Sequence, residues 1–318
     1  MTAENTNKPV LALIVPCCNE EDVLPYFKEA IDKVVVDLKK KQLISGESFV
    51  VFVDDGSVDS TWRLIQGFNL QFPKEIKGLK LSRNFGHQNA LLAGMFSFDF
   101  DICVTIDADL QDSPAAIAEL IEKYNQGYQI VYGVRSGRDS DSLFKLLTAH
   151  IFYLLMRILS IKTVHNHADF RLLSKQAIDV LKNFREVNVF LRGIIPYLGF
   201  NSAVVYYERP QRKAGKTKYP FRKMLSFAWE GITSFSVMPL RMITHVGFFI
   251  FSLSLLLSVY ALIMNYLLRT VPGWTSMALA IYFLGGLIIF FLGIIGEYIG
   301  KIYMEVKERP RFIVEEKI

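Results

Sequence analysis

The sequence has few cysteines and lacks the phosphate-binding motifs of several common enzyme classes. Only three of its 318 residues are cysteine, Cys17, Cys18 and Cys103, and their spacing fits neither a zinc site nor a disulfide framework. A reducing, cytosolic environment is the simplest interpretation. The absence of a GxGxxG fingerprint and of a Walker loop disfavours a dinucleotide dehydrogenase, a kinase or an ATPase. The net charge of +5 gives no indication of nucleic-acid binding, and the N-terminus does not resemble a signal peptide.

Charged residues are missing from two long stretches near the C-terminus. Residues 245–268 contain no Asp, Glu, Lys or Arg, and a second apolar stretch covers residues 277–296. About 20 apolar residues suffice to span the hydrocarbon core of a bilayer, and Pro272 with Gly273 separates the two stretches. The pattern predicts two transmembrane helices within residues 241–304. The alternative is a buried hairpin in the core of a large soluble domain.

Basic residues flank the apolar pair on both sides, whereas the loop between the two stretches carries only Arg269. The positive-inside rule therefore predicts a multi-pass protein of the plasma (inner) membrane with the N-terminal part and both termini in the cytoplasm. Residues 143–161 and 220–239 have the apolar spacing of helices that lie in the headgroup plane, although ordinary core helices fit the same pattern. Glycines in the second stretch permit helix packing and a homo-oligomer. The basic residues that flank the two apolar stretches are Arg222, Lys223, Arg241, Lys301, Lys307, Arg309 and Arg311.

Strand-like and helix-like segments alternate over the first 135 residues. Strands that are apolar throughout are buried on both faces, so this order predicts an α/β domain whose mostly parallel sheet is covered by helices. We expect strands at 10–16, 49–53, 79–81, 102–106 and 129–133, and helices at 21–38, 59–72, 87–98 and 114–125.

Polar side chains follow each of the five predicted strands. Parallel sheets bind ligands at the carboxyl ends of their strands, where loops and helix N-termini meet. A single polar strand end can be a turn or a helix cap, but five in register predict a binding site. The residues concerned are Asn19, Glu20, Asp54, Asp55, Arg83, Asn84, Asp107, Asp109 and Arg135.

Asp107 and Asp109 give the clearest chemical signal. Two carboxylates separated by one small residue at the end of a buried strand suit Mg²⁺ or Mn²⁺, which also takes phosphate oxygens and would neutralise a diphosphate leaving group. An Asp-x-Asp pair also occurs in ordinary turns. Asp112, which precedes Ser113 and Pro114, is interpreted as a helix N-cap rather than as a ligand.

Several ordered motifs make the whole chain resemble the GT-A family 2 inverting glycosyltransferases. More narrowly, the chain resembles the polyprenyl-phosphate glycosyltransferases, and its paired C-terminal helices resemble the bacterial GtrB-like bactoprenol glucosyltransferases. The family reaction moves one sugar from a nucleotide diphosphate to a polyprenyl phosphate with inversion. The motifs are VPCCNEE, VDDGSVDST, LSRNFGHQNAL, TIDADLQDSP, VYGVRSGR and DFRLLSK, followed by RKAGKTKYPF.

The resemblance implies a role for each matching residue. Asp107, Asp109 and Gln111 would hold the metal and the diphosphate. The residues that would contact the nucleotide sugar are Pro16, Asn19, Glu20, Asp54, Asp55, Ser57, Arg83, Asn84, Asp107, Ala108 and Arg135.

The acceptor side depends on a basic segment and on one carboxylate. A phosphate is expected to be bound by Arg171, Arg212, Lys218 and Tyr219. A basic run such as the one around Arg212 also serves as a lipid-headgroup patch. Asp169 is the candidate base, with Arg171 beside it. A phosphate monoester has its second pKa at about 6, so the acceptor is already largely ionised in the cytosol and Asp169 would then mainly orient it or Arg171.

We expect UDP-glucose as the donor and undecaprenyl phosphate as the acceptor. GDP-mannose, UDP-N-acetylglucosamine and a UDP-aminoarabinose donor remain alternatives, as does a non-catalytic membrane scaffold. The expected domains are a nucleotide-sugar core at residues 1–140, an acceptor-side part at 141–240, the helix pair at 241–304 and a cytoplasmic tail at 305–318.

Overall fold

The computed structural model describes residues 8–136, 167–186, 189–208, 238–266 and 274–318. The chain divides into two compact units. One consists of Met1–Leu154, Lys162–Lys218 and Arg309–Ile318, and the other of Leu155–Ile161 and Tyr219–Glu308. The domain boundaries at residues 140, 240 and 304 stay predictions.

An eight-stranded sheet forms the centre of the first unit. Its order is β7-β5-β6-β4-β1-β2-β3-β8, and only β6 and β8 run antiparallel to their neighbours, so the prediction of a mostly parallel sheet is confirmed. The alternation of elements did not predict β6. The strands are β1 Leu11–Cys17, β2 Phe49–Asp54, β3 Ile76–Leu81, β4 Ile102–Thr105, β5 Ile130–Ser136, β6 His167–Ser174, β7 Ser202–Glu208 and β8 Val314–Lys317.

The described residues of this unit also form six helices. α1 shows why the sequence folds in this way, because Leu24, Phe27, Ile31 and Leu38 recur at helical spacing and are all buried. Phe27 packs edge-on against Phe52 of β2, with ring centroids 6.2 Å apart. The helices are α1 Leu24–Lys40, α2 Thr61–Gln71, α3 His87–Ser97, α4 Ile117–Asn125, α5 Lys175–Leu181 and α6 Leu191–Tyr197, and a 3-10 turn, Pro114–Ala116, precedes α4.

The last residues of the chain form a strand of the same sheet. β8 pairs with β3 in antiparallel register, and Ile318 and Gly78 exchange two backbone hydrogen bonds of 3.0 Å. A side chain at Gly78 would lie 2.7 Å from the Ile318 side chain, so glycine makes the close approach of this residue possible. Residues 305–318 are predicted as a tail, and the strand within them, Val314–Lys317, is short, exposed and polar.

The described residues of the second unit form two long helices, α7 Met238–Tyr266 and α8 Trp274–Val306. Among the residues that the structure describes, one segment, Leu287–Val306, is long and apolar enough to cross a membrane. The predicted pair of transmembrane helices therefore stays a prediction. The predicted interfacial segment 143–161 lies outside the described residues, as does 220–237 of the predicted segment 220–239. Arg212, Lys218 and Tyr219 also lie outside them.

Candidate active site

The carboxyl ends of β1, β2, β3 and β4 bring their polar loops to one edge of the sheet. Cys17 at the end of β1 is in register with Asp54 at the end of β2. Because β6 runs antiparallel to β4, its first residues reach the same edge, where Thr105 is in register with Arg171. Among the described residues, the sheet therefore brings those predicted for the nucleotide and the metal to the same edge as Asp169 and Arg171.

Asn19 and Ser57 lock the loops after β1 and β2 together. The Asn19 backbone N–H donates to Ser57 Oγ at 2.9 Å, and Asn19 Oδ1 accepts the Val58 N–H at 2.9 Å. Asn19 has a φ of 54°, a left-handed conformation that asparagine tolerates better than most residues. The Glu20 N–H donates to Thr61 Oγ1 at 2.9 Å. Pro16 lies within β1, in register with Val53, and the loops that begin after Cys17 and Asp54 form one hydrogen-bonded rim.

Asp54 is fully buried and has an acceptor to spare. Its Oδ1 accepts the Ser57 N–H at 3.3 Å, but within the described residues its Oδ2 has no hydrogen-bond partner. Burial raises the pKa of this carboxyl above its ordinary value. A buried carboxylate oxygen without a donor is costly, so a ligand N–H or hydroxyl group that reached this oxygen would be favourable.

Asp55 has no such spare oxygen. Its Oδ1 accepts the Phe85 N–H at 2.7 Å and its Oδ2 accepts the Gly86 N–H at 2.9 Å. Its neighbour Gly56 has a φ of +66°, and a Cβ there would lie 2.5 Å from the backbone of Arg83 and Asn84. Asp55 and Gly56 therefore hold the loop after β3 close to the loop after β2.

The loop after β3 carries the predicted Arg83 and Asn84 at its exposed surface. The Arg83 guanidinium lies over the Phe85 ring, 4.2 Å from its centroid. Asn84 Nδ2 lies 3.2 Å from Cys18 Sγ and donates to it. This contact closes the rim from β1 to β3.

Asp107 and Asp109 lie at the end of β4, as the sequence predicts. Burial raises the pKa of Asp107, and with the opposing effect of His87 and the additional effect of the nearby Asp169, Asp112 and Asp109 carboxylates the pKa is about 6. Asp109 Oδ1 accepts the Gln111 N–H at 3.0 Å. Among the residues that the structure describes, no group of three or more His, Cys, Asp or Glu is suited to a metal ion.

Asp169, at the start of β6, is surrounded by cationic groups. Arg171 donates to its Oδ1, Arg192 Nη2 donates to its Oδ2 at 3.1 Å, and His87 Nε2 lies 3.5 Å from Oδ2. Burial alone would raise the pKa of Asp169, but His87, Arg171 and Arg192 together hold it well below its ordinary value. This carboxylate is an ion-pair partner and a weak proton acceptor.

His87 joins the two carboxylate centres of the site. Its Nε2 is also 3.5 Å from Asp107 Oδ1, so one imidazole contacts both Asp107 and Asp169. Burial lowers the pKa of His87, but Asp169 and Asp107 outweigh this effect and raise it. His87 follows a glycine loop at the start of α3, whereas Arg192 has no signal in the sequence, and neither residue was predicted to act here.

The charged guanidinium group of Arg171 is buried. Within the described part of the chain its Nε and Nη1 have no hydrogen-bond partner, although Nη2 donates to Asp169. Burial lowers the pKa of the guanidinium, yet arginine stays charged. Two unused donors beside Asp169 are suited to an anionic oxygen.

Arg135 lies in a separate cluster, at the ends of β5 and β7. Its Nη2 donates to Asp112 Oδ1 at 2.9 Å, and the Tyr207 hydroxyl donates to the same oxygen. The interpretation of Asp112 as an N-cap is therefore wrong, because neither Ser113 nor any other residue caps the 3-10 turn through its side chain. A buried carboxylate with an arginine in reach forms an ion pair instead.

Comparison with known proteins assigns the chain to a family. Residues 12–181 match glycosyl transferase family 2. The chain belongs to this family. Residues 238–302 of this family 2 glycosyltransferase match the GtrB C-terminal hairpin, so the resemblance drawn from the motifs is confirmed.

Named relatives match the glycosyltransferase over almost its whole length. It is 49% identical over 311 residues to the uncharacterized glycosyltransferase YkoT of Bacillus subtilis, covering 97% of this chain and 92% of that protein. It is 38% identical over 309 residues to the bactoprenol glucosyl transferase of Shigella phage SfX, covering 96% and 99%. Among solved structures, it is similar to glucosyl-3-phosphoglycerate synthase of Mycobacterium tuberculosis in complex with Mn²⁺, UDP and phosphoglyceric acid, at 17% identity and a TM-score of 0.46, covering 72% and 78%.

Proposed function

We propose that this glycosyltransferase moves glucose from UDP-glucose to undecaprenyl phosphate, with inversion, at the cytoplasmic membrane face. The observation that carries the proposal is the juxtaposition of Asp54, Asp107 and Asp169 at one edge of the sheet. One of these carboxylates has a spare acceptor, the second belongs to an Asp-x-Asp pair and the third is held by arginines. The colinear match to a protein named bactoprenol glucosyl transferase supports the choice of acceptor.

We place the donor beside the loops after β1 and β2. Asp54 Oδ2 would accept an N–H of the base, and Asn19, Glu20 and Ser57 shape the rim around it. Asp107 and Asp109 offer the hard oxygen donors that Mg²⁺ or Mn²⁺ takes, and Gln111 would complete their set. The bound ion would neutralise the diphosphate as the sugar leaves.

The acceptor fits the cationic side of the same edge. A phosphate monoester is largely ionised above its second pKa of about 6, so it attacks without giving a proton to a strong base. Asp169, whose pKa lies far below that of an effective base, would instead orient Arg171 and Arg192 toward the phosphate. Arg212, Lys218 and Tyr219 are proposed to complete the phosphate site.

The pairing of β8 with β3 supports a two-span topology. β3 precedes both long helices and β8 follows them, yet the two strands share one sheet. A chain that crosses a bilayer between these strands must therefore cross an even number of times. With Leu287–Val306 as one span, α7 is proposed as the second, and the catalytic unit and the C-terminus then lie on the same side.

A donor screen against undecaprenyl phosphate tests the proposal. Purified full-length enzyme is incubated with UDP-glucose, GDP-mannose, UDP-N-acetylglucosamine or a UDP-aminoarabinose donor, with Mg²⁺, Mn²⁺ or EDTA, and nucleotide release and lipid product are measured. We expect UDP-glucose to give the highest kcat/KM and EDTA to abolish turnover. Turnover with another sugar alone would overturn the donor assignment, and none with any donor would favour a scaffold.

A further inference from the structure

The charged contacts of Asp169 come from three different elements. Arg171 is two residues along the same strand, so the sheet fixes its position. His87 is the first residue of α3, and Arg192 is the second residue of α6. The contact from Arg192 therefore depends on how α6 is placed against the sheet.

The residue before α6 provides no side-chain cap for the first N–H groups of the helix. Its N-cap residue, Phe190, makes no side-chain cap hydrogen bond, and the first N–H groups of a helix lack partners inside the helix. Gln88 supplies the missing acceptor, because its Oε1 lies 2.6 Å from the buried Leu191 N–H, 103 residues away in the chain. Arg192 is the next residue after Leu191.

We infer that Gln88 is a positioning residue for the transfer reaction, which holds α6 so that Arg192 reaches Asp169. Two residues in the first turn of α3 then act on the Asp169 carboxylate. His87 contacts Asp169 directly, and Gln88 acts through α6 and Arg192. Gln88 itself is not proposed to contact substrate.

A mutant cycle tests this role, and its kinetic part rests on the proposed function. We expect Gln88→Leu to lower kcat about tenfold while the KM for the nucleotide sugar changes little, because misplaced catalytic groups lower the rate of transfer more than donor binding. Gln88→Glu keeps an oxygen acceptor and should restore most of kcat. Gln88→Leu should have no further effect in an Arg192→Leu background. If the two losses multiply, the inference is overturned.

The matched control is Gln66→Leu. Gln66 is a partly buried glutamine in a helix. Its side chain donates a hydrogen bond of 3.3 Å to Glu316 of β8. The same substitution there should leave kcat unchanged. An equal loss in both variants would show a general effect on folding and would overturn the role of Gln88.

Hydrogen exchange tests the anchor without any turnover. In the full-length protein, Gln88→Leu should speed exchange of the Leu191 amide about tenfold, because that N–H loses its acceptor, while Gln66→Leu should not. Unchanged exchange overturns the inference even if the donor is misassigned. Absence of wild-type turnover, by contrast, counts against the proposed function alone.

Discussion

At the residue scale, Asp169 behaves as a fixed negative charge. His87, Arg171 and Arg192 hold its pKa well below the ordinary value despite its burial, so it is ionised at both pH 6 and pH 8. The acceptor phosphate, with a second pKa of about 6, gains its reactive charge over the same interval. We expect Asp169→Asn to lower kcat, measured with saturating donor, by a similar factor at pH 6 and pH 8, because the carboxylate that is removed carries the same charge at both pH values. A clearly larger loss at pH 6 would show that Asp169 acts as a base when the acceptor is protonated.

The two adjacent aspartates at the end of β2 predict different effects on kinetics and stability. Asp54→Asn replaces a buried acceptor by an amide, and we expect it to raise the KM for the nucleotide sugar about tenfold with little change in kcat. Asp55→Asn removes one acceptor from the backbone of Phe85 and Gly86. It should lower the free energy of unfolding by about 1–3 kcal/mol and lower kcat. Steady-state kinetics and thermal unfolding separate the two, and the same pattern in both variants would contradict these roles.

At the scale of elements, Gly56 controls the distance between two loops. Gly56→Ala places a Cβ 2.5 Å from the Arg83 and Asn84 backbone at a φ of +66°, so the loops must separate. We expect a loss of more than about 1 kcal/mol in the free energy of unfolding, together with weaker donor binding.

The control for Gly56 lies in the interior of α2. Gly67 has no atom within 4 Å of its Cβ position, and Gly67→Ala should stabilise the protein by roughly 0.5–1 kcal/mol through helix propensity. Chemical denaturation measures both variants. Equal effects at the two glycines would refute the packing argument.

β8 is attached to the sheet through a side chain as well as through its backbone. Glu316 accepts from Trp62 Nε1 at 3.0 Å and from Gln66 at 3.3 Å, and Trp62 is almost completely buried. We expect Glu316→Ala to cost about 1–3 kcal/mol and to shift Trp fluorescence, because the indole N–H loses its acceptor. Glu315, which pairs with Lys80 at the surface, is the control, and Glu315→Ala should cost at most about 1 kcal/mol. A larger cost at Glu315 would contradict this assignment.

At the scale of the whole molecule, the shared sheet predicts the sidedness of the two ends. Lys8→Cys and Glu315→Cys, each made in a background that lacks Cys18, should react with an impermeant maleimide from the same side of sealed vesicles. Cys17 and Cys103 are buried, and burial raises the pKa of both thiols, so their reaction should be slow. Labelling from opposite sides would mean an odd number of crossings and would refute the two-span topology.

Much of the α/β architecture follows from local pattern. The continuous apolar runs of β1, β2 and β4 predict buried strands within one or two residues of their observed ends, and the periodicity of α1 predicts its buried face. β8 could not be predicted in this way, since its four residues are exposed and its place depends on backbone pairing with β3.

The candidate site likewise has a part that the sequence predicts and a part that it does not. The sequence by itself determined that carboxylates end β2 and β4, because residue order and apolar runs are local properties. Only the tertiary structure decided that Asp54 keeps a free oxygen while Asp55 does not, and that Arg192 and His87 control Asp169. The spacing of apolar residues along the chain predicts which side chains are buried. A hydrogen-bond partner, by contrast, is the residue that the fold brings close in space, and the sequence pattern does not specify which distant residue that is.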